Sequence, residues 1–114
     1  MNFVIDAGNT YTKLALFQGS EMVGFAGFPG IDIRQIQQFC EDNVLIKQVI
    51  ISTVREYPSE IDKFLKERYR VIFFSHETPV PLTNNYSTPE TLGKDRLAGV
   101  AGAMYLVPGC DVLV

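Results

Sequence analysis

The residues with the clearest potential for chemistry form one short segment near the start of the chain, Asp6-Ala7-Gly8-Asn9-Thr10-Tyr11-Thr12-Lys13. The segment joins two apolar runs, and its Gly-Asn pair is typical of a β-hairpin tip. Exposed N–H groups in such a turn can hold an anion, and Gly8 can take a positive φ and lets a ligand approach closely. Asp6 can hold a metal ion through oxygen coordination, and the Lys13 ammonium can neutralise phosphate charge. The pattern favours a nucleotide phosphate site, with a purely structural turn as the alternative.

A second polar segment runs from Tyr86 to Arg96 and leads into a stretch of small residues. Asp95 stands at the predicted start of a helix, where the helix dipole favours the ionised carboxylate. The Arg96 side chain offers a planar fork of donors for a carboxylate or a phosphate. Without further context, Asp95 is equally well explained as an ordinary helix-start aspartate, and Tyr86 and Gly93 as a packed loop tyrosine and a turn glycine.

The composition is that of one ordinary globular domain. Of the 114 residues, 46% are hydrophobic and 20% charged, which excludes a disordered chain. A net charge of -3 and a pI near 5.0 give no electrostatic support for nucleic-acid binding. No apolar run has the length of a membrane span, and no signal segment precedes the first strand, so we expect a soluble, cytoplasmic protein.

The cysteines and the single histidine do not form a site in the sequence. Cys40 and Cys110 lack metal-ligand spacing and are expected to be free, buried thiols. His76 lies in a Ser-His-Glu-Thr-Pro loop, where a surface position is favoured over a catalytic triad.

Hydrophobic periodicity predicts five strands and three helices. The predicted strands are Asn2–Asp6, Thr12–Phe17, Met22–Phe28, Val49–Thr53 and Val71–Phe74. The predicted helices are Ile31–Glu41, one that begins with Ser59 as its N-cap, and about Lys94–Leu106. The segment 75–89 contains several prolines and asparagines and is predicted to be a loop. Three antiparallel strands followed by alternating helices and parallel strands are the α/β arrangement of a ribonuclease H-like, or actin-like ATPase, domain.

The last predicted helix carries two further patterns. Four residues stand at core spacing, namely Leu97, Val100, Ala101 and Met104. Gly99 and Gly102 weaken a helix, so they suggest close backbone packing against another element or a ligand.

Taken together, the two polar segments resemble the type III pantothenate kinase family of the acetate kinase/sugar kinase/Hsp70/actin superfamily. That family has an Asp-x-Gly-Asn-Thr-x-x-Lys hairpin and, roughly eighty residues later, a Tyr-x-x-Pro…Leu-Gly-x-Asp-Arg element, a spacing that lets both meet in one cleft. Ser52-Thr53-Val54 also resembles the Ser-containing strand end of the family. The resemblance covers the chain from Met1 to Val114.

The resemblance implies transfer of the γ-phosphoryl of ATP to the primary hydroxyl of pantothenate, the first step towards coenzyme A. It implies Asp95 as the catalytic carboxylate that accepts the hydroxyl proton, and Asp6 as the holder of Mg²⁺ through water. The ATP phosphates would be bound by Asp6, Gly8, Asn9, Thr10 and Lys13. Pantothenate would be bound by Tyr86, Gly93, Lys94, Asp95 and Arg96. The family also implies a monovalent cation, K⁺ or NH₄⁺, and a homodimer.

The resemblance further implies a domain boundary close to the last residue of the chain. Residues 1–110 would be the N-terminal kinase domain, and Asp111–Val114 the start of the first strand of a C-terminal domain that is absent here. Because ligand sites often form between domains, we expect the 114 residues alone to lack kinase activity. Their affinity for ATP would be at best millimolar, a binding energy of about 4 kcal/mol.

Two other classes of function compete with the kinase. A ribonuclease H-like nuclease would also use an aspartate on the first strand, but the matching Ile50-Ile51-Ser52-Thr53 segment supplies no further metal-binding carboxylate. The second alternative is an accessory transcriptional regulator of the Baf type without kinase activity. Nothing basic in the chain supports direct contact with DNA.

Overall fold

The computed structural model describes residues 1–114, which form two compact units, Met1–Phe73 and Phe74–Val114. The strands of the first unit are β1 Asn2–Ala7, β2 Tyr11–Gln18, β3 Glu21–Pro29, β4 Gln48–Thr53 and β5 Arg70–Phe73, and its helices are α1 Ile33–Glu41 and α2 Ser59–Lys66. The second unit contains a short 3₁₀ turn, Pro89–Thr91, and the helix α3 Lys94–Leu106. The predicted α/β class is confirmed.

The five strands form one mixed sheet in the order β3-β2-β1-β4-β5. The strands β1, β2 and β3 pair antiparallel through hairpins, whereas β4 and β5 add in parallel on the other side of β1. Parallel neighbours need a crossover connection, and α1 and α2 supply it before β4 and before β5. As a result, the carboxyl ends of β1 and β4 lie at the same edge of the sheet, next to the β1–β2 hairpin tip.

One face of the sheet builds the hydrophobic core of the first unit. Alternate residues of each strand point to this face, since successive side chains in a strand point to opposite faces. The buried members are Phe3, Ile5, Leu14, Leu16, Phe28, Val49 and Ile51 from the strands, and Ile36, Cys40, Ile61 and Leu65 from the two helices. Asp6 and Lys13 belong to the opposite alternation and therefore point away from this core.

Two of the three helix starts differ from the predicted ones. Asp32 caps α1, since its carboxylate accepts a hydrogen bond from Arg34 N at 2.9 Å, and the helix begins at Ile33 rather than Ile31. The prediction of Ser59 as the N-cap of α2 is wrong. Pro58 holds that position, because its carbonyl already accepts a hydrogen bond from Ile61 N at 3.0 Å, and Ser59 is the first helical residue.

A buried hydroxyl ties the first hairpin to the end of β3. Thr12 is fully buried, and its Oγ1 donates to Gly30 O at 2.6 Å. Thr12→Val is expected to lower the free energy of unfolding by about 1–3 kcal/mol, because the part-buried Gly30 carbonyl would lose its hydrogen-bond donor. Urea unfolding measures the effect, with Thr83→Val at an exposed position as the control, expected within about 0.5 kcal/mol of wild type. Equal losses of unfolding free energy in both variants would contradict a stabilising role for the hydrogen bond from Thr12 to Gly30.

The second unit confirms the predicted loop and the predicted third helix. Between Ser75 and Thr88 there is no regular element, and α3 has the predicted bounds, Lys94–Leu106. The predicted core stripe of α3 is wrong for two of its four members, and Ala101 is half-buried. Leu97 is buried, but Val100 and Met104 are 42% and 47% exposed.

One of the two helix glycines and the last four residues also differ from the prediction. A Cβ on Gly99 would lie 2.8 Å from Val114 Cγ1, so close packing holds there, whereas nothing lies within 4 Å of a Cβ on Gly102. The segment Asp111–Val114 is not a strand in this structure. Its assignment to the start of a further domain, and the domain 1–110, remain predictions.

The cysteines are both free, but only one is buried. Burial raises the pKa of the Cys40 thiol to about 11, so this thiol stays protonated and unreactive at neutral pH. Cys110 is exposed, so the prediction of two buried thiols is wrong for this residue. Cys110 lies after the end of α3, outside any regular element. None of the three helices has the length and apolar character needed to cross a membrane.

Candidate functional site

The tip of the first hairpin is formed by Gly8, Asn9 and Thr10, between the end of β1 and the start of β2. Gly8 N donates to Tyr11 O at 3.0 Å and closes the turn. The positive φ that is open to Gly8 is not used, because only Gly19, Gly30 and Gly109 have one. A Cβ on Gly8 would instead lie 3.2 Å from Tyr11 O, so the glycine allows a close backbone approach.

The carbonyl groups of Asn9 and Thr10 form hydrogen bonds within the protein, whereas the N–H groups of these two residues do not. Asn9 O accepts a hydrogen bond from Arg55 Nη1 at 3.0 Å, and Thr10 O accepts one from Gly30 N at 2.8 Å. No hydrogen bond of the chain uses the N–H of Asn9 or of Thr10, and both residues are exposed. Successive free N–H groups in a turn are suited to bind an anion.

A row of polar side chains crosses the sheet next to this tip. Asp6 of β1 is the register partner of Lys13 on β2 and of Ser52 on β4, so the three side chains share the face that points away from the core. Lys13 Nζ lies 3.7 Å from Asp6 Oδ2, with the two side chains 57% and 45% exposed. A pair this exposed contributes little to stability, and both charges remain accessible to a ligand.

The donor set at Asp6 fits only one kind of metal site. No group of three or more His, Cys, Asp or Glu side chains lies together in the chain, so a metal cage made of protein ligands is not present. Mg²⁺ is commonly held by one or two carboxylates while it keeps several waters and binds substrate phosphates. A single half-exposed carboxylate beside free N–H donors fits that description.

The second predicted segment surrounds the start of α3. Gly93 occupies the N-cap position, and its carbonyl accepts hydrogen bonds from Arg96 N and Leu97 N at 3.1 and 3.2 Å. Asp95 Oδ1 would lie 2.5 Å from a Cβ on Gly93, so the carboxylate folds back over the glycine. The helix N-terminus stabilises negative charge there. The missing side chain at Gly93 therefore leaves room for this carboxylate.

The remaining residues of this segment are accessible to different extents. Asp95 and Arg96 are exposed, Lys94 is half-buried, and Tyr86 is 49% exposed in the loop that precedes the 3₁₀ turn. Tyr86 N donates to Asn84 Oδ1 at 3.0 Å, which orders the backbone at that point.

The structure thus assembles the predicted site residues in two groups. One group is the hairpin tip with the neighbouring ion pair, and it consists of Asp6, Gly8, Asn9, Thr10 and Lys13. The other group lies at and before the start of α3, consisting of Tyr86, Gly93, Lys94, Asp95 and Arg96. The two groups belong to different units, so their meeting in one cleft remains a prediction.

Arg55 contacts the hairpin tip, and the sequence patterns did not predict this contact. It follows the end of β4 by two residues, and its hydrogen bond to Asn9 joins positions 46 residues apart. One signal was available, since the carboxyl ends of adjacent parallel strands lie at the same edge of a sheet, where ligands bind in open α/β folds.

The fold and the hairpin tip define an α/β domain of the actin-like ATPase type. The family model of type III pantothenate kinase matches residues 2–114, and the chain belongs to this family.

Individual relatives agree with the family match. The chain is 40% identical to the type III pantothenate kinase of Phocaeicola vulgatus over 114 residues, which are 100% of this chain and 47% of that protein. It is 36% identical to the type III pantothenate kinase of Christiangramia forsetii, again over 100% of this chain and 47% of the relative. The type III pantothenate kinase of Cytophaga hutchinsonii is 37% identical over 99% of this chain and 46% of its own length. The chain therefore spans about half the length of the curated relatives it matches.

Proposed function

We propose that the full-length protein to which this chain belongs is a pantothenate kinase, which transfers the γ-phosphoryl group of ATP to the primary hydroxyl of pantothenate. The observation that carries the proposal is the hairpin tip, where two unpaired N–H groups lie beside an accessible ammonium and carboxylate. The family match over residues 2–114 supplies the substrate.

The hairpin tip is the nucleotide side of the proposed site. The N–H groups of Asn9 and Thr10 donate to phosphate oxygens, Gly8 allows the phosphate to come close, and the Lys13 ammonium neutralises charge. Such groups act as a preorganised electrostatic site, which is the main form of catalysis open to phosphoryl transfer. Asp6 would hold a hydrated Mg²⁺, which when bound neutralises charge on the phosphate oxygens.

The start of α3 is the substrate side. The pantothenate hydroxyl oxygen forms a bond to the γ-phosphorus, the bond from that phosphorus to the bridging oxygen of ADP breaks, and the hydroxyl proton passes to the Asp95 carboxylate. A carboxylate is a weak base, which suffices because little proton transfer has occurred in a loose transition state. Arg96 and Lys94 bind the pantothenate carboxylate or the phosphate, and Tyr86 and Gly93 contact the substrate.

The family resemblance adds two further components to the proposal. These are a monovalent cation, K⁺ or NH₄⁺, and a second copy of the full-length protein in a homodimer. Replacing K⁺ by Na⁺ in the assay and measuring the mass of the protein in solution test them separately from the reaction itself.

The reaction is tested by ADP release from MgATP by the full-length protein. We expect release that requires pantothenate and saturates with it. Release at the same rate without pantothenate, or no release at all, would contradict the proposal, and the second outcome would favour the regulator without kinase activity.

Gly93→Ala is expected to lower kcat by about 10- to 100-fold, because the added Cβ would meet Asp95 Oδ1 and displace the carboxylate from its position. The backbone at Gly93, with φ -55° and ψ 131°, suits alanine, so stability should change little. Gly102→Ala is the matched control, since its Cβ has free space, and it should leave kcat unchanged while stabilising α3 by about 1 kcal/mol. An unchanged kcat in Gly93→Ala would show that the carboxylate position is not critical.

A further inference from the structure

Arg55 lies against the hairpin tip with most of its guanidinium group unpaired. Its Nη1 donates to Asn9 O at 3.0 Å, whereas its Nε and Nη2 are buried and have no hydrogen-bond partner. None of the ion pairs of the chain involves Arg55. A buried donor without a partner costs free energy, and a charged donor costs more than a neutral one. A cation in this position therefore needs a reason other than the stability of the fold.

The backbone that carries Arg55 is fixed by the preceding strand end. Arg55 N donates to Thr53 Oγ1 at 3.2 Å, and the same hydroxyl donates to Arg55 O at 2.6 Å. Thr53 is the last residue of β4 and the register partner of Ala7, which is the last residue of β1. The backbone of Arg55 is thus tied to the end of β4, and the side chain reaches the tip from there.

The hydrogen bond to Asn9 O has a direct consequence for the Thr10 N–H. The two groups belong to one planar trans peptide, in which C=O and N–H point in opposite directions. Fixing the carbonyl towards Arg55 therefore fixes the Thr10 N–H to point away from it, on the exposed side of the tip. This N–H is one of the two unpaired donors of the proposed phosphate site.

The guanidinium group also gives the tip a positive charge that no carboxylate neutralises. Arginine stays protonated in proteins, and charges that are shielded from water act more strongly on their surroundings than exposed ones. A nucleotide polyphosphate that binds the N–H groups of the tip would lie on the opposite side of the same peptide. The negative charge of the polyphosphate would be attracted by this unneutralised cation.

We propose that Arg55 is a positioning residue of the nucleotide site, which orients the Asn9–Thr10 peptide and supplies positive charge for the ATP polyphosphate. The inference rests on the proposed function, because it takes the tip as the phosphate site. It adds a residue from the end of β4, outside the two segments that the family resemblance identified.

The test compares Arg55→Met and Arg55→Lys in the full-length protein, with Arg34→Met, at an exposed position on α1, as the control. KM for MgATP and for pantothenate, kcat and the melting temperature are measured for each. Arg55→Met should raise KM for MgATP at least about tenfold, with KM for pantothenate within about twofold of wild type. Arg55→Lys should recover part of the loss, since it keeps the charge and one donor. Arg34→Met should leave every value unchanged.

A separate titration with a fluorescent MgATP analogue distinguishes failure of this inference from failure of the proposed function. If wild type binds the analogue but does not phosphorylate pantothenate, the proposed reaction fails, and a weaker binding by Arg55→Lys or Arg55→Met still supports Arg55. If all variants bind the analogue with the affinity of wild type, or if KM for both substrates rises equally, the inference is overturned. If Arg55→Met does not fold, Arg55→Lys alone decides. The lysine keeps the charge but replaces the planar fork of donors by a single ammonium. A KM for MgATP equal to that of wild type would then show that the guanidinium geometry has no role, and the inference would be overturned.

Discussion

Asp95→Asn is expected to lower kcat of the full-length protein by about 100-fold or more, with the affinity for ATP nearly unchanged. The asparagine keeps the size of the side chain and its place above Gly93 at the start of α3, but it cannot accept the proton of the substrate hydroxyl. Steady-state kinetics with both substrates varied measure kcat, and a nucleotide titration measures the affinity for ATP.

Asp62→Asn is the matched control for this prediction. Asp62 is a carboxylate on α2 that pairs with Lys66 at 2.8 Å and accepts a long hydrogen bond from Tyr57 Oη at 3.5 Å. The asparagine removes one negative charge and the ion pair, away from the proposed site, and its oxygen can still accept from Tyr57. We expect kcat of this variant to equal that of wild type. If Asp95→Asn also kept a kcat near that of wild type, Asp95 would be an ordinary helix-start aspartate and the assignment would be wrong.

Lys13→Ala is expected to lower kcat/KM for MgATP by about 100-fold, because one preorganised charge at the phosphate site is lost. KM for pantothenate should change far less, since Lys13 lies on the nucleotide side. The ion pair with Asp6 is 3.7 Å long and exposed, so its loss is not expected to unfold the sheet. Asp6→Asn, at the other member of the pair, should change the Mg²⁺ dependence of the rate.

An exposed lysine elsewhere in the first unit gives the control for charge alone. Lys47 precedes β4 and is exposed, so Lys47→Ala removes the same charge away from the tip. Its kinetic constants should equal those of wild type. If Lys13→Ala and Asp6→Asn titrated MgATP and Mg²⁺ like Lys47→Ala, the hairpin tip would be a structural turn and nothing more.

Local patterns were sufficient to predict most of the fold. The strands follow from alternating and β-branched residues, and α3 follows from a polar start and a Pro-Gly stop, all of which are encoded within a few neighbouring residues. The start of α2 was not predictable in this way. Ser59 has the preferred chemistry of an N-cap, but the carbonyl of Pro58 already accepts the first helical hydrogen bond, and backbone geometry decided the boundary.

The candidate site likewise contains residues that local sequence predicts and one residue, Arg55, that it does not. The residues of the hairpin tip are contiguous in sequence, so their types and order predict a turn with a carboxylate and an ammonium beside it. Arg55 reaches the tip only because β4 pairs in parallel with β1, and such long-range pairing leaves no local signal. The burial of α3 beyond Leu97 was likewise not decided by its spacing, since spacing gives the face of a helix but not what covers it.

We propose that the full-length protein moves the γ-phosphoryl group of ATP onto pantothenate with Asp95 as the catalytic carboxylate. The most direct measurement uses ATP whose terminal phosphoryl oxygens carry ¹⁸O and follows the label by mass spectrometry. We expect pantothenate to gain one phosphoryl group that contains the labelled oxygens, and we expect Asp95→Asn to form this product at least about 100-fold more slowly. Label that appears only in inorganic phosphate, at a rate independent of pantothenate, would contradict the account.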